Sequence, residues 1–374
     1  MNILIAGDFF ISDSFKNTEL IGNCVTNLFN NSDYNILNLE SPLIANIKKE
    51  RINKIGPHLQ SDPQNSITFL EKLNIDLVTL ANNHIMDYGK KGLENTFYFL
   101  KKNKINHVGS GLNLSQASQF KIIKKEGLTI AILNFAENEW SIAKENKAGA
   151  NPLDIIDNSR QIKEASLKCD KVICIIHGGH EYNNHPSPSM VKHYKYYVEC
   201  GADAIICHHT HCFSGTEIYR GSPIIYGLGN FIFTLDNQNN SWYKGLVVDL
   251  IVDKNENIRF NLIPVTQEKS TFSLKVSKDD EKYQILNEVS SYSKIITNPD
   301  LLNLQWAKFV DLKKEQYLFS INPIQFFDNK YLLSAFRKIH FDKILLNKKL
   351  KTKFLHLIRC EAHKELVISV LDED

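Results

Sequence analysis

Short, mainly apolar runs recur along the first 265 or so residues, and each is too short for a helix and too apolar for an exposed strand. They fall at 2–7, 35–39, 76–81, 129–134, 171–177, 203–207, 223–227 and 245–252. A strand that is apolar on both faces must be covered on both sides, the situation of sheets in α/β proteins. Amphipathic stretches at 65–74, 91–103 and 189–200 lie between several of these runs and predict the covering helices. Strand density rises toward residue 265, so the expected sheet is not purely parallel. Gly109-Ser110-Gly111 and Asn151-Pro152 mark loops. From Lys269 onward the chain turns rich in Lys, Leu and Phe with helical periodicity. We therefore expect an α/β domain over 1–268 and a mostly helical region over 269–374.

The remaining composition excludes several classes. With 23% charged residues, a net charge of +2 and no low-complexity tract, the 374-residue chain has the character of a globular protein and no general affinity for nucleic acid. Seven cysteines, odd in number and without a Cys-x-x-Cys pair, point to a reducing compartment. Ile3-Leu4-Ile5-Ala6 starts a strand almost at Met1 and leaves no room for a signal-peptide core. The expected localisation is cytoplasmic.

Polar clusters stand at or just beyond six apolar, strand-like runs. In order they are Gly7-Asp8, Asn38-Leu39-Glu40, Asn82-Asn83-His84 with Asp87, His177-Gly178-Gly179-His180-Glu181, Cys207-His208-His209-Thr210-His211-Cys212, and Gly227-Leu228-Gly229-Asn230. In open α/β sheets, sites form beyond the carboxyl ends of the strands. One Asp or Asn there is ordinarily a turn residue or a helix cap. Six such endings that supply carboxylates, amides and imidazoles together point to a metal centre. That donor mixture suits Mn, Fe or Zn better than Ca, which takes oxygen alone. If the histidine run is extended, His209 and His211 share a face and His208 points the other way. Cys207 and Cys212 flank it as alternative zinc ligands.

The motifs Ala-Asn-Asn-His-x-x-Asp-x-Gly (81–89), Asn-Leu-Glu-Ser-Pro (38–42), His-Gly-Gly-His-Glu-Tyr (177–182), Gly-Ala-Asp-Ala-x-x-x-His-His-Thr-His (201–211) and Tyr226-Gly-Leu-Gly-Asn-Phe231 resemble the CapA family. This is the capsule and poly-γ-glutamate branch of the calcineurin-like metallophosphoesterases, and the resemblance covers roughly residues 2–265. It implies an αββα sandwich that holds one or two divalent ions. Asp8, Glu40, Asn83, His177, His209 and His211 stand at the family's ligand positions, and His84 at that of the histidine that protonates the leaving oxygen. The parent superfamily's first motif reads Asp-x-His, whereas Asp8-Phe9-Phe10 places Phe at the histidine position. The resemblance thus implies one site of Glu40, Asn83, His177 and His209 and a weaker one of Asp8, Glu40 and His211. Glu40 also replaces a bridging Asp, and its extra methylene alters the ion spacing.

Other residues carry two readings. Asp87 either orients His84 or caps the helix expected to begin near Gly89. His180 and Glu181 either meet the substrate or support His177, and His208 is placed with them. Asn230 either approaches a phosphate or holds a turn. In the tail, Phe336-Arg-Lys-Ile-His-Phe341 and Lys348-Lys-Leu-Lys-Thr-Lys353 interleave cations with apolar residues, as either a docked helix or a basic amphipathic helix on an anionic membrane. The expected function is metal-dependent hydrolysis of a phosphate ester or diester in capsule, surface-polysaccharide or poly-γ-glutamate synthesis, with a metal-bound hydroxide as nucleophile. The alternatives are a non-hydrolytic accessory protein of polymer assembly and group transfer on the same ions. The expected substrate is a phosphorylated or polymeric surface glycan or γ-glutamyl polymer. Loops 41–60, 135–152 and 183–190 would select it.

Overall fold

The computed structural model describes residues 1–12, 15, 20–44, 51–321 and 347–371. Two mixed sheets lie face to face. In the first, β1 (Asn2–Phe10), β2 (Tyr34–Leu39), β3 (Leu77–Thr79) and β4 (Asn106–Val108) run parallel. On the other side of β1 this sheet continues antiparallel through β14 (Lys244–Ile251), β15 (Arg259–Gln267) and β16 (Leu274–Val276). Strand β13 (Asn230–Phe233) pairs in parallel with the last residues of β1.

The second sheet is ordered β11 (Thr216–Tyr219), β12 (Ser222–Ile225), β10 (Ala204–His208), β9 (Lys171–His177), β7 (Leu128–Ala136) and β6 (Lys121–Lys125), parallel except at its two edges. A two-residue ladder joins β5 (Ser110–Gly111) to β8 (Gly149–Ala150).

The period of two along each strand sorts the core into layers. Ile3, Ile5, Ile36 and Leu77 of the first sheet pack on Ile173, Ile175, Ala204 and Ile206 of the second. Their neighbours Leu4, Ala6, Leu37 and Val78 face outward onto α1 (Asn23–Asn30), α2 (Pro63–Lys72) and α3 (Gly89–Lys102). Val172, Cys174, Ile176 and Ile205 face outward onto α5 (Ile155–Lys168) and α6 (Pro188–Glu199), while α4 (Leu114–Ala117) is a single turn. The layers therefore run helix, sheet, sheet, helix, as expected. Each predicted run became a strand, and the three predicted helices lie within two residues of α2, α3 and α6.

Beyond the sheets come α7 (Asp279–Ile296), α8 (Pro299–Ile321), α9 (Lys348–Arg359) and α10 (Glu361–Leu371). Val310, Tyr317, Leu357, Leu366 and Val370 form a separate small core among α8, α9 and α10. Among the described residues, no helix is long and apolar enough to cross a membrane. Of the basic tail, Lys348–Lys353 opens α9, whose Thr352 hydroxyl accepts from Asn53 Nδ2 at 3.0 Å. The Phe336–Phe341 segment lies outside the described residues.

Candidate metal centre

The parallel strands of both sheets end on the same side, and their carboxyl ends bring together residues far apart in the chain. At the end of β1 the register slips by one residue against both β2 and β13. Such a bulge re-aims the side chain it carries, here Asp8, which is fully buried. Its Oδ1 accepts from Asn38 Nδ2 at 2.7 Å and its Oδ2 from the His209 backbone N–H at 3.2 Å. Glu40, just past β2, is fully buried too. Its Oε1 lies 3.8 Å from His177 Nε2 and 3.7 Å from His211 Nε2.

The histidine run is not extended, which corrects the alternating-face expectation. Strand β10 stops at His208, and His209 and His211 take φ of +90° and +53°. Left-handed backbone at non-glycine residues is costly and persists where the surroundings enforce it. The resulting turn brings all three imidazoles to the same carboxylates: His208 Nδ1 is 3.4 Å from Asp8 Oδ1, and His211 Nδ1 3.7 Å from its Oδ2. His209 Nδ1 is 3.1 Å from His177 Nε2, which also meets Asn83 Oδ1 at 3.0 Å. Asn230 does not face the cleft as a free ligand. Its Oδ1 accepts from His211 Nδ1 at 2.9 Å, and its Nδ2 donates to the Trp242 carbonyl at 3.0 Å. That bond leaves His211 Nε2 as the nitrogen turned to Glu40.

Two donor groups follow, Glu40–His177–His209 and Asp8–Glu40–His211, each with its ligand atoms within 4.8 Å of one another. Both Glu40 oxygens are buried without a hydrogen-bond partner, an expensive state that a cation would relieve. Burial first, then the charges of Asp8 and Glu181, push the Glu40 carboxyl well above the usual range. Burial also raises Asp8, but His208, His177 and His211 outweigh it and leave that carboxyl lowered. His177 falls well below the usual imidazole range, and His209 to about 3, chiefly through burial. Neutral imidazoles keep their lone pairs, so the donor set fits a divalent transition ion.

His84 and Asp87 sit beside this cluster. Asp87 Oδ2 lies 2.8 Å from His84 Nδ1 and accepts from the Leu59 backbone N–H at 2.7 Å. The cap of α3 is Tyr88, without a side-chain hydrogen bond, so Asp87 meets the imidazole and not the helix end. Lys54 forms an ion pair with Asp87 and approaches His84 Nδ1 at 3.1 Å. Burial, followed by the Lys54 charge, lowers His84 to about 4 despite Asp87. His180 turns away from Glu40: its Nε2 donates to the Ala362 carbonyl at 2.9 Å, and its ring lies against Trp306 and Phe309. Glu181 is exposed on the rim of the cleft. Phe10 packs on Phe233 at 5.0 Å, and Phe233 in turn meets the His211 ring edge-on. Cys207 and Cys212 are buried free thiols that join no donor group among the described residues.

Sequence reasoning left out three participants. Asn38 ties Asp8 to His177 Nδ1, 3.2 Å away, and accepts from Thr79. Its place two residues before Glu40 was the available signal. Lys54 is in a loop of no distinctive pattern. Glu139 follows β7, which carries no His or Asp to announce a site. Burial raises it to about 7, and it interacts with the Asn83 side chain. Lys54 and Glu139, with Asn83, His84 and His209, line a cleft of about 390 Å³ to which Phe309, Tyr317, His356 and His363 of the C-terminal helices also contribute.

The model of the bacterial capsule synthesis protein family PGA_cap matches residues 2–235, a span that holds every residue of the Asp8–Glu40 cluster. The PGA biosynthesis protein CapA of Bacillus subtilis strain 168 is 32% identical over 285 residues, which cover 74% of this chain and 73% of that protein. The capsule biosynthesis protein CapA of Bacillus anthracis is 30% identical over 224 residues, 58% of this chain and 54% of that protein. A hypothetical protein from Thermus thermophilus, solved by crystallography, overlays 72% of this chain and all of its own with a TM-score of 0.46 at 14% identity.

Proposed function

Because this chain belongs to the PGA_cap family of bacterial capsule synthesis proteins, we propose that it is a metal-dependent hydrolase of phosphate esters or diesters that serves the making of a surface polysaccharide or γ-glutamyl polymer. The observation that carries this reading is the Glu40 carboxylate, fully buried with both oxygens unpaired and ringed by imidazoles. Glu40, Asn83, His177 and His209 would hold one ion, and Asp8, Glu40 and His211 the other. Ions bound there supply Lewis acidity toward a phosphoryl oxygen and acidify water.

The chain's own residues do the rest. Asn230 and Asn38 hold His211 and His177 in one orientation each. Asp87 accepts a hydrogen bond from His84 Nδ1–H, which leaves Nε2 as the acceptor available to a substrate. His84 is neutral in the free protein, so it must take up a proton before it can give one to a leaving oxygen. An anionic phosphate ester in the cleft favours that uptake by offsetting the Lys54 charge. The buried walls keep bulk water from competing.

The test is metal analysis after reconstitution with Mn and with Zn, run beside turnover of a phosphodiester with a poor leaving group. Near two ions per chain in a Cys360→Ser background, which leaves the Asp8–Glu40 cluster intact, fewer when His209→Ala is added, and a His84→Ala rate reduced by about 10²–10⁴ are expected. About one ion with turnover retained would restrict catalysis to the four-ligand site, with Phe10 having weakened the other. A chain that binds no ion is not a hydrolase of this kind and is an accessory protein of polymer assembly.

A further inference from the structure

We infer that Glu139, Cys360 and His363 form another transition-metal site, distinct from the Asp8–Glu40 cluster, which clasps the C-terminal helices to the α/β body. Each of the three offers one ligand atom, and these atoms all lie within 4.8 Å of one another. Glu139 comes from the loop after β7. Cys360 links α9 to α10, and His363 lies in the first turn of α10. Glu139 and Cys360 are 8% and 1% exposed. With zinc bonds of about 2.0 Å to N and O and 2.3 Å to S, tetrahedral edges are about 3.3–3.8 Å. A contraction of at most about 1.5 Å therefore closes the set.

The groups around these three already do what supporting partners of ligands do. The Tyr317 hydroxyl bonds His363 Nδ1 and leaves Nε2 for an ion. Glu137 accepts from Cys360 Sγ at 3.1 Å and is itself fixed by the Gly179 backbone N–H at 2.6 Å. A fourth donor is at hand: the His356 ring lies 4.3 Å from that of His363, and its Nδ1 is buried without a hydrogen-bond partner. Thiolate, imidazole and carboxylate together select zinc, iron or cobalt over magnesium and calcium. Binding displaces the Cys360 thiol proton and lets the ion's charge offset two adjacent buried carboxylates. Cys360 and His363 lie outside the residues matched by the family model, whereas Glu139 lies within them. The site thus ties a part of this chain beyond that match to the loop that borders Asn83.

Cobalt(II) reconstitution of the full chain tests the site, because a thiolate ligand gives a sulfur-to-metal charge-transfer absorption that the Asp8–Glu40 donors do not. We expect that absorption in the wild type, its loss in Cys360→Ser with about one bound ion fewer, and its persistence in His209→Ala. Persistence in His209→Ala separates this site's failure from that of the proposed hydrolase centre. Cobalt-loaded wild type without the absorption overturns the proposal, and so does a Cys360→Ser protein that keeps it. Should Cys360→Ser not fold, His363→Gln serves instead, with at least a tenfold weaker cobalt titration of the thiolate band expected. An unchanged titration rejects the site.

Discussion

At the scale of single residues, the centre depends on which nitrogen of each imidazole is kept free. Asn230 spends its amide oxygen on His211 Nδ1 and so dedicates Nε2 to Glu40. Loss of such a partner typically weakens metal affinity about 10–100-fold. Asn230→Ala should show a drop of that size in a zinc or manganese titration, with little change in the Glu139–Cys360–His363 thiolate signal. Burial first, and the Lys54 charge after it, hold His84 below the usual imidazole range. The lysine charge disfavours the imidazolium, so Lys54→Met should move the His84 titration upward from about 4, as read by NMR of the imidazole protons. A midpoint that stays put would assign the depression to burial alone. The residues of the Asp8–Glu40 cluster could be singled out from sequence, since each stands at or just beyond an apolar run. Their tautomers could not, because the deciding partners are residues 19 or more positions away, as with His211 and Asn230.

At the scale of elements, the carboxyl end of β1 is the most constrained junction. Here β1 leaves its register with β2 and β13, and the backbones approach so closely that a Cβ at Gly7 would meet the Gly229 carbonyl oxygen at 2.0 Å. Backbone atoms cannot swing aside as a side chain would. Gly7→Ala should therefore lower unfolding stability by about 1–3 kcal/mol in denaturant titrations. It should also reduce metal binding, because Asp8 is the next residue. The strands were legible because burial on both faces leaves an uninterrupted apolar run. Strands such as β6 and β15, with one face toward water, were not, since Lys, Arg and Asn alternate with their apolar residues. The histidine run misled for a different reason. A short polar segment carries no periodicity, and positive φ at His209 and His211 is imposed by what surrounds it.

For the whole molecule, the carboxylates packed between the α/β body and the C-terminal helices set how stability responds to pH. Burial raises Glu137 to about 8, and the charge of Glu139 adds to this. A carboxyl raised on folding is held protonated by the fold. Its contribution is fully present below the unfolded value of 4.5 and is lost as pH rises through about 8. The melting temperature of the metal-free protein relative to that of Glu137→Gln should accordingly fall between about pH 5 and 8, a difference in which the buried histidines common to both cancel. A slope of opposite sign would mean that the carboxylate is held ionised. Added zinc should raise the melting temperature at high pH by less in Cys360→Ser than in the wild type if the Glu139–Cys360–His363 site forms.

The sequence by itself determined the α/β architecture, the helical tail and the strand ends that carry the polar residues of the Asp8–Glu40 cluster, because hydrophobic periodicity and strand-end motifs are local properties of the chain. Only the tertiary structure decided that His208 joins His209 and His211 at the same carboxylates. It alone turned His180 toward α10, gave Asp87 to His84, and brought Cys360 and His363 to Glu139. Each of these depends on the direction in which a side chain leaves its element and on what a distant segment sets opposite it. Spacing along the chain encodes neither.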